Sequence, residues 1–158
     1  MSTSKFFSIL IVFFITAAGI GYLAYHSVSN ITSKETAAVN AALSDNSPVQ
    51  FEIADTQEKQ VLGLSGRVSV PHNYGMLFVF PTDGNYGFWM KDMLVPIDMI
   101  WLSDTGQVIG INDSVSPSTY PSVFYPPQPV RYVLEMRAGE AKLQGWSTGS
   151  FIKIPLQD

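Results

Sequence analysis

The stretch DMIWLSDTGQVIGI, residues 98–111, is the part of the chain whose local structure is easiest to predict. Its two apolar segments, Asp98–Leu102 and Gln107–Ile111, are separated by the turn signal Asp104-Thr105-Gly106. A short loop that contains glycine and joins two apolar runs is typical of a β-hairpin. We therefore predict an antiparallel pair of strands here, around which the rest of the fold can be arranged.

Strand patterns also dominate the sequence on both sides of this hairpin. Some alternate between apolar and polar residues, as half-buried strands do, and others are continuous apolar runs, as in buried strands. These further predicted strands are Val49–Ala54, Gly75–Phe80, Phe88–Met93, Arg131–Met136 and Phe151–Ile154. Within residues 47–158, helical patterns are short and cover Gln57–Leu64 and Ala138–Leu143. The predicted fold class is therefore α+β and β-rich: an antiparallel sheet curled into a barrel-like sandwich with one or two short helices.

Residues 6–25 form an apolar run without a charged residue. A run of this length can cross a hydrocarbon core of ~30 Å as a helix. Because Lys5 precedes the run and no basic residue follows it until Lys34, the positive-inside rule keeps residues 1–5 in the cytoplasm. We therefore predict one N-terminal transmembrane anchor before the domain. A cleaved signal peptide is the alternative, with Thr16-Ala17-Ala18 as a weak cleavage site.

The rest of the chain divides into a linker and a single folded unit. Residues 26–46 are rich in Ser, Thr, Asn and Ala, which is typical of a spacer. Residues 47–158 have the length of one ordinary domain, and the predicted topology places them outside the cytoplasm. The expected localisation is the cell membrane, with a single pass and an extracytoplasmic C-terminal domain.

The composition excludes several classes of function. Of the 158 residues, 14% are charged, whereas globular proteins average ~25%. The chain has no cysteine and two histidines, which excludes disulfides, thiolate catalysis, iron–sulfur clusters and zinc sites made of cysteine or several histidines. We expect no metal and no cofactor. The net charge of −4 argues against nucleic acid as a partner.

Several short motifs, which follow one another along the predicted domain, resemble those of the domain-of-unknown-function 192 family. They are Gly63-Leu64-Ser65-Gly66-Arg67, Gly75–Phe80, Phe88–Met93 with Pro96-Ile97-Asp98, and Arg131–Glu135 with Gly139. The resemblance covers about residues 51–154. It implies a compact, β-rich α+β domain, often exported or membrane-attached in bacteria and archaea, and it implies no established reaction. Ser65 departs from the family pattern, in which many members have a methionine, and this weakens any role for a thioether there.

The scarce charged residues of the domain fall mostly within these motifs. We predict that Lys91, Asp92 and Asp98 surround the mouth of a pocket walled by Phe88 and Trp89, since concave sites combine apolar walls with a few polar groups. The alternative interpretation places Asp92 in a turn and Lys91 at an exposed edge.

Asp98 and Glu135 each lie in an otherwise apolar segment, where a buried carboxylate needs a partner. Arg67 and Arg131 are the natural partners, because a planar guanidinium group fits a carboxylate. The same groups could instead bind a small polar ligand. His72 follows a proline in a loop, and we expect a surface residue rather than a base. The full set of ligand-binding candidates is Arg67, Trp89, Lys91, Asp92, Asp98, Arg131 and Glu135.

These observations lead to one main functional hypothesis. The predicted anchor and the lack of a recognisable catalytic constellation indicate a membrane-anchored, extracytoplasmic binding or accessory module of the cell envelope, with a small polar or saccharide ligand. The alternative is a carboxylate-dependent hydrolase or lyase acting on envelope carbohydrate, with Asp92 or Asp98 as acid or base. A third hypothesis is a partner-binding domain that uses the proline-rich loop Ser116–Pro129 as its contact surface.

Overall fold

The computed structural model describes residues 48–155, which contain seven strands and two short helices. The strands are β1 (Gln50–Ala54), β2 (Tyr74–Gly84), β3 (Phe88–Trp89), β4 (Ile97–Leu102), β5 (Val108–Val115), β6 (Val123–Phe124) and β7 (Val130–Arg137). The helices are α1 (Gln57–Leu62) and α2 (Glu140–Leu143), and a 3-10 turn covers Pro117–Thr119. The prediction of a β-rich domain with short helices is therefore confirmed.

A five-stranded sheet in the order β1-β2-β7-β4-β5 forms the centre of the domain. Its pairings are antiparallel except that of β1 with β2, which is parallel. Parallel neighbours need a long crossover, and residues 55–73, which include α1, supply it. The prediction of an antiparallel sheet is therefore wrong, because the sheet is mixed. The predicted closure toward a barrel is also wrong, because β1 and β5 remain the two separate edges of the described sheet.

The hairpin predicted from residues 98–111 is confirmed by the pairing of β4 with β5. In this pairing Trp101 lies opposite Gly110. The turn requires glycine at position 106, since φ of Gly106 is +80° and a Cβ there would collide with the carbonyl oxygen of Ile152. The turn residues of the sequence therefore suit both the hairpin and the chain segment that packs against it.

Both faces of the central sheet are covered, so its middle strands are buried on each side. Side chains alternate along a strand, and the core divides accordingly into two clusters. The first cluster, covered by β3 and the loop after α1, includes Leu64, Met76, Phe78, Phe88, Met99, Trp101 and Val133. The second, covered by α2 and the C-terminal segment, includes Leu77, Ile100, Leu102, Leu134, Met136, Ala141 and Ile152. By the same alternation, Glu135 lies on the side of the first cluster and Asp98 on the side of the second.

Two predicted strands are shorter than their sequence patterns indicate. β3 ends at Trp89, because the chain then turns through Asp92, whose φ is +56°. The predicted strand Phe151–Ile154 is reduced to one isolated bridge with Gln107. Conversely, the proline-rich loop contains a strand, since β6 pairs with β3. This second, two-stranded sheet lies beside the pocket described below.

The predicted anchor at residues 6–25 and the predicted linker at residues 26–46 lie outside the described residues. Between residues 48 and 155, no helix is both long and apolar enough to span a bilayer. The membrane anchor therefore stays a prediction from the sequence.

Candidate functional site

A pocket of about 210 Å³ opens on the side of the sheet that carries β3. It lies between α1 with the loop that follows it, the second half of β2, and β3. Apolar side chains dominate the lining, and Glu135 is the single carboxyl group among the described residues that form it. The lining residues are Gln57, Gln60, Val61, Leu62, Gly63, Leu64, Ser65, Phe78, Phe80, Tyr86, Gly87, Phe88, Trp89, Met93 and Glu135.

Aromatic rings form the walls of this pocket and hold one another in place. Phe88 meets Phe78 edge to face with ring centroids 4.8 Å apart, and Phe80 stacks on Tyr86 at 3.6 Å. The Tyr86 hydroxyl donates a hydrogen bond to the carbonyl oxygen of Thr82 at 2.7 Å, which fixes the outer ring. Such ring pairs contribute ~0.5–1.5 kcal/mol each beyond the area that they bury. Contacts between the rings themselves therefore hold the walls in place.

Helix α1 forms one rim of the pocket although none of its residues is buried. Thr56 caps its first turn by accepting a hydrogen bond from the Lys59 N–H at 3.4 Å. The side-chain amide of Gln60 then ties the helix to the sheet, because it donates to the carbonyl oxygens of Ala54 at 3.1 Å and Val79 at 2.9 Å. Polar contacts rather than apolar packing thus hold this rim in place.

Gly63 lets the main chain pass close to the bottom of the pocket. Its φ of +52° favours glycine, and a Cβ there would lie 3.4 Å from Phe78 Cζ and 3.6 Å from Glu135 Oε2. A larger side chain at this position would occupy the space in front of the carboxyl group. The first glycine of the Gly63–Arg67 motif therefore keeps access to Glu135 open.

Glu135 lies at the bottom of the pocket and is 4% exposed. It comes from β7, the middle strand, where it faces Met76 of β2 and Met99 of β4 in the strand register. One of its carboxyl oxygens, Oε2, has no hydrogen-bond partner in the described part of the chain. Unpartnered buried polar groups are rare in folded proteins, and a bound ligand is one way to satisfy them.

Burial raises the pKa of Glu135 to about 8, because removal from water disfavours the charged form. The N–H of Leu64 and the positive charge of Arg67 act against this rise without cancelling it. At neutral pH the carboxyl group is therefore mainly protonated, and it can lose its proton in mildly alkaline solution. A strongly shifted acid in a cleft is typical of a functional site.

Among the predicted ligand-binding residues, Trp89 and Glu135 line the pocket. Lys91 and Asp92 are exposed, lie in the turn after β3 and do not line it. The carbonyl oxygen of Lys91 accepts a hydrogen bond from the Ser65 hydroxyl at 3.0 Å. The backbone of this turn, rather than its charged side chains, therefore supports the pocket. The exposed position of both residues agrees with the alternative interpretation, which places them in a turn and at an exposed edge.

Asp98 does not line the pocket, because it lies on the opposite side of the sheet. It is fully buried and accepts hydrogen bonds from the N–H groups of Ser114 at 2.8 Å, Gly139 at 3.0 Å and Ala141 at 2.9 Å. Its predicted pairing with an arginine is wrong, since the backbone supplies these donors. Burial raises the pKa of Asp98, and the three N–H groups act against this rise. The side chain thus joins β5 and α2 to β4.

Both arginine candidates pair with acidic side chains outside the pocket lining. Arg67 donates to Glu52 at 2.8 Å, and Arg131 donates to Asp83 at 2.7 Å. All four side chains are partly exposed, and exposed ion pairs contribute little to stability. Arg67 still matters for the site, because its charge acts on the pKa of Glu135.

The predictions from sequence omit most of the pocket, including Gly63, Phe78, Phe80 and Tyr86. One signal that could have found the rings is the alternation of phenylalanines at positions 78 and 80 within an apolar strand. Alternate residues share one face, so this spacing places two rings together. The contribution of α1 carries no such signal, because it depends on how the crossover folds back.

A second polar cluster surrounds Glu140, whose side chain is completely buried. Its Oε2 lies 2.9 Å from His72 Nδ1 and accepts a hydrogen bond from Arg137 Nε at 3.0 Å, while Gln144 donates to Oε1 at 2.9 Å. Burial favours the neutral acid, but these donors outweigh it and lower the pKa of Glu140. His72 is therefore half-buried and paired, which corrects the expectation of a surface residue. In the described chain, no group of three or more histidine and acidic side chains could hold a metal ion.

Comparisons with known proteins identify relatives with the same fold. The profile of the domain-of-unknown-function 192 family (DUF192), described as an uncharacterized ACR, matches residues 39–154. A candidate transcription regulator from Sinorhizobium meliloti 1021 is 30% identical, with a TM-score of 0.62 over 65% of this chain and 79% of that protein. A protein of unknown function from Novosphingobium aromaticivorans DSM 12444 is 26% identical, with a TM-score of 0.62 over 66% of this chain and 74% of that one. No match was found among curated proteins.

Proposed function

The chain belongs to the domain-of-unknown-function 192 family, and we propose that it is a binding module that holds a small ligand in the pocket above Glu135. One observation carries this proposal: the unpartnered oxygen of a carboxyl group that is 4% exposed, at the bottom of a pocket with aromatic walls. A polar group of a ligand that reaches this oxygen would satisfy it. Apolar walls with a few placed polar groups are the usual composition of small-molecule sites.

The pocket favours a ligand with an apolar body and one polar group. Its volume of about 210 Å³ lies below the ~300–1,000 Å³ of sites that hold drug-sized molecules. The Ser65 hydroxyl donates to the backbone of the turn after β3, and the Gln60 amide donates to two backbone carbonyls. A saccharide, with many hydroxyl groups, would find few partners in such a lining. We therefore propose a mainly apolar ligand in place of the small polar or saccharide ligand that the sequence led us to expect.

The domain is further proposed to be tethered to the cell membrane by residues 6–25, with residues 47–158 outside the cytoplasm. The support is the uncharged apolar run and the lysine that precedes it. A tethered module with a ligand pocket would act as an accessory component of the cell envelope. We expect a reporter enzyme fused after Asp158 to be active outside the cytoplasm, and activity restricted to the cytoplasm would contradict this topology.

Small molecules that remain bound during purification test the proposed pocket. The full-length chain is purified in a nonionic detergent and denatured, and the released compounds are identified by mass spectrometry. A compound should be retained by the wild type and by Phe151→Ala, whose ring is 67% exposed and outside the lining. The same compound should be lost from Trp89→Ala and from Glu135→Gln. Equal retention by all four proteins would show that binding occurs elsewhere.

Glu135 also favours a second candidate function, a carboxylate-dependent hydrolase or lyase. A carboxyl group with a pKa of about 8 in a cleft can serve as a general acid at neutral pH. This candidate assigns the acid to Glu135 rather than to Asp92 or Asp98, because neither of these lines the pocket. The described residues of the lining supply one carboxyl group, whereas most glycosidases use a pair. Cleavage of envelope oligosaccharides by the wild type, lost in Glu135→Gln, would favour the enzyme, and a lack of cleavage by the wild type would favour the binding module.

A further inference from the structure

Among the described residues, the lining of the pocket combines one acid with aromatic rings and contains no lysine or arginine. The faces of aromatic rings carry partial negative charge and attract cations within ~6 Å of the ring centre. A buried carboxylate attracts a cation more strongly still, because the surrounding dielectric is low. The rings that line the pocket are those of Phe78, Phe80, Tyr86, Phe88 and Trp89. Both features of the lining therefore favour a positively charged guest.

We propose that this pocket binds an organic ammonium ion, with Glu135 as its counter-ion and the aromatic walls around its apolar part. The inference rests on the proposed binding function and specifies the chemical class of the ligand. A primary ammonium group carries N–H donors, and one of them can satisfy Oε2 of Glu135, which has no donor among the described residues. A quaternary ammonium ion has no N–H group, so we expect it to bind more weakly than a primary one.

Other classes of ligand fit this lining less well. An anion would meet the acidic side chain of Glu135 and, among the described residues of the lining, no cationic side chain. A neutral alcohol or ketone could accept a hydrogen bond from the protonated acid, and it is the main competing class. The two classes of ligand require different protonation states of Glu135, because an ammonium ion needs its carboxylate form and a neutral acceptor needs its carboxylic acid form.

The groups around Glu135 define the pH range in which the two classes can be separated. Strands β2 and β4 place uncharged methionines opposite Glu135, β3 contributes uncharged rings, and the loop after α1 contributes the Leu64 N–H and the Arg67 guanidinium. Arginine stays protonated throughout this range. Tyr86, the other ionisable side chain among the described residues of the lining, directs its hydroxyl to Thr82. Glu135 is therefore the group whose proton leaves when an ammonium ion binds, and its pKa of about 8 sets the pH range.

Calorimetric titration of the full-length chain in nonionic detergent, with four probes of similar size, tests the proposal. The probes are n-butylammonium, tetramethylammonium, 1-butanol and butyrate. At pH 7 we expect n-butylammonium to bind at least ~10-fold more tightly than 1-butanol, and butyrate to show no binding. From pH 6 to pH 7 the affinity for n-butylammonium should rise ~10-fold, and it should level off above pH 8. Buffers of different ionisation enthalpy should report the release of one proton.

Two matched variants and the wild-type pH profile keep the test decisive. Glu135→Gln preserves the size of the side chain and should lose ~10-fold or more in affinity for n-butylammonium, together with its pH dependence. Glu58→Gln changes an exposed glutamate outside the lining. This variant should retain the wild-type affinity for n-butylammonium and its dependence on pH. If Glu135→Gln fails to fold, the pH profile of the wild type decides alone.

The outcomes separate this proposal from the binding function on which it rests. Tighter binding of 1-butanol than of n-butylammonium, weakening above pH 8, would overturn the ammonium ligand and keep the pocket as a site for neutral molecules. If none of the four probes binds, the ammonium ligand is overturned. If, in addition, no compound co-purifies with the full-length chain, the proposed binding function is overturned as well. Titration with Nα-acetyl-lysine methylamide then identifies the source of the ammonium group. Binding as tight as that of n-butylammonium would support a lysine side chain, and weaker binding would support a free amine.

Discussion

Replacement of Glu135 by glutamine should make the stability of the domain less dependent on pH. In the folded protein, burial raises the pKa of Glu135 to about 8, whereas the ordinary value is 4.5. Between these two pH values an unfolded chain has lost the proton while the folded chain retains it. The folded state then binds one proton more, so the free energy of unfolding falls as the pH rises.

The size of this effect follows from the distance between the two pKa values. Each pH unit in the window changes the free energy of unfolding by ~1.36 kcal/mol, so the interval from 4.5 to about 8 corresponds to ~5 kcal/mol. The stability associated with the neutral acid is complete below pH 4.5 and is lost once the pH passes about 8. An effect of ~5 kcal/mol is large beside the ~5–15 kcal/mol that stabilises a typical domain. Glutamine has no proton to lose, and any cost of burying its amide does not vary with pH.

Urea unfolding of the wild type and of Glu135→Gln, followed by circular dichroism at pH 5, 6, 7 and 8, measures the effect. The variant should gain stability relative to the wild type by ~1 kcal/mol per pH unit across this range. Other shifted acids, such as Glu140, contribute to both proteins and cancel in the difference. Glu58→Gln, at an exposed position in α1, should show no such trend. A difference between Glu135→Gln and wild type that stays constant from pH 5 to pH 8 would refute the raised pKa.

Three further substitutions test other parts of the structure by the same urea unfolding at pH 7. Gly63→Ala should lower the free energy of unfolding by ~1–3 kcal/mol, because φ at this position is +52°, a backbone conformation that alanine rarely adopts; an unchanged value would contradict the required glycine. Asp98→Ala leaves three backbone N–H groups without their acceptor and should cost ~3 kcal/mol or more, so wild-type stability would rule out its structural role. Arg131→Gln breaks only an exposed pair with Asp83 and should leave the unfolding midpoint unchanged, whereas a clear decrease would show that this pair is stronger than its exposure implies.

Elements whose contacts are close in sequence could be predicted from the sequence. The turn Asp104-Thr105-Gly106 specifies the hairpin of β4 and β5, because glycine adopts the positive φ that the turn needs. Thr56 likewise caps α1 through an N–H three residues away. The parallel pairing of β1 with β2 could not be predicted in this way, because it depends on the path of the whole crossover through residues 55–73. The same crossover brings Gly63 to the pocket, which explains why sequence patterns omit that side of the site.

The hairpin, the buried strands and the presence of two acids in apolar surroundings can be predicted from the amino-acid sequence alone, since they depend on local turn chemistry and on burial patterns. Which of the two acids faces the pocket depends instead on how the strands pair in the folded domain. In the pairing of β4 with β7, Asp98 lies opposite Met136 and Glu135 lies opposite Met99, so the two acids point to opposite faces of the sheet. Asp98 there meets three backbone donors, whereas Glu135 meets aromatic rings and keeps one oxygen unpartnered. Because side chains alternate at every residue, a slip of one position would move an entire strand to the other face, and that register is set by contacts distant in the chain.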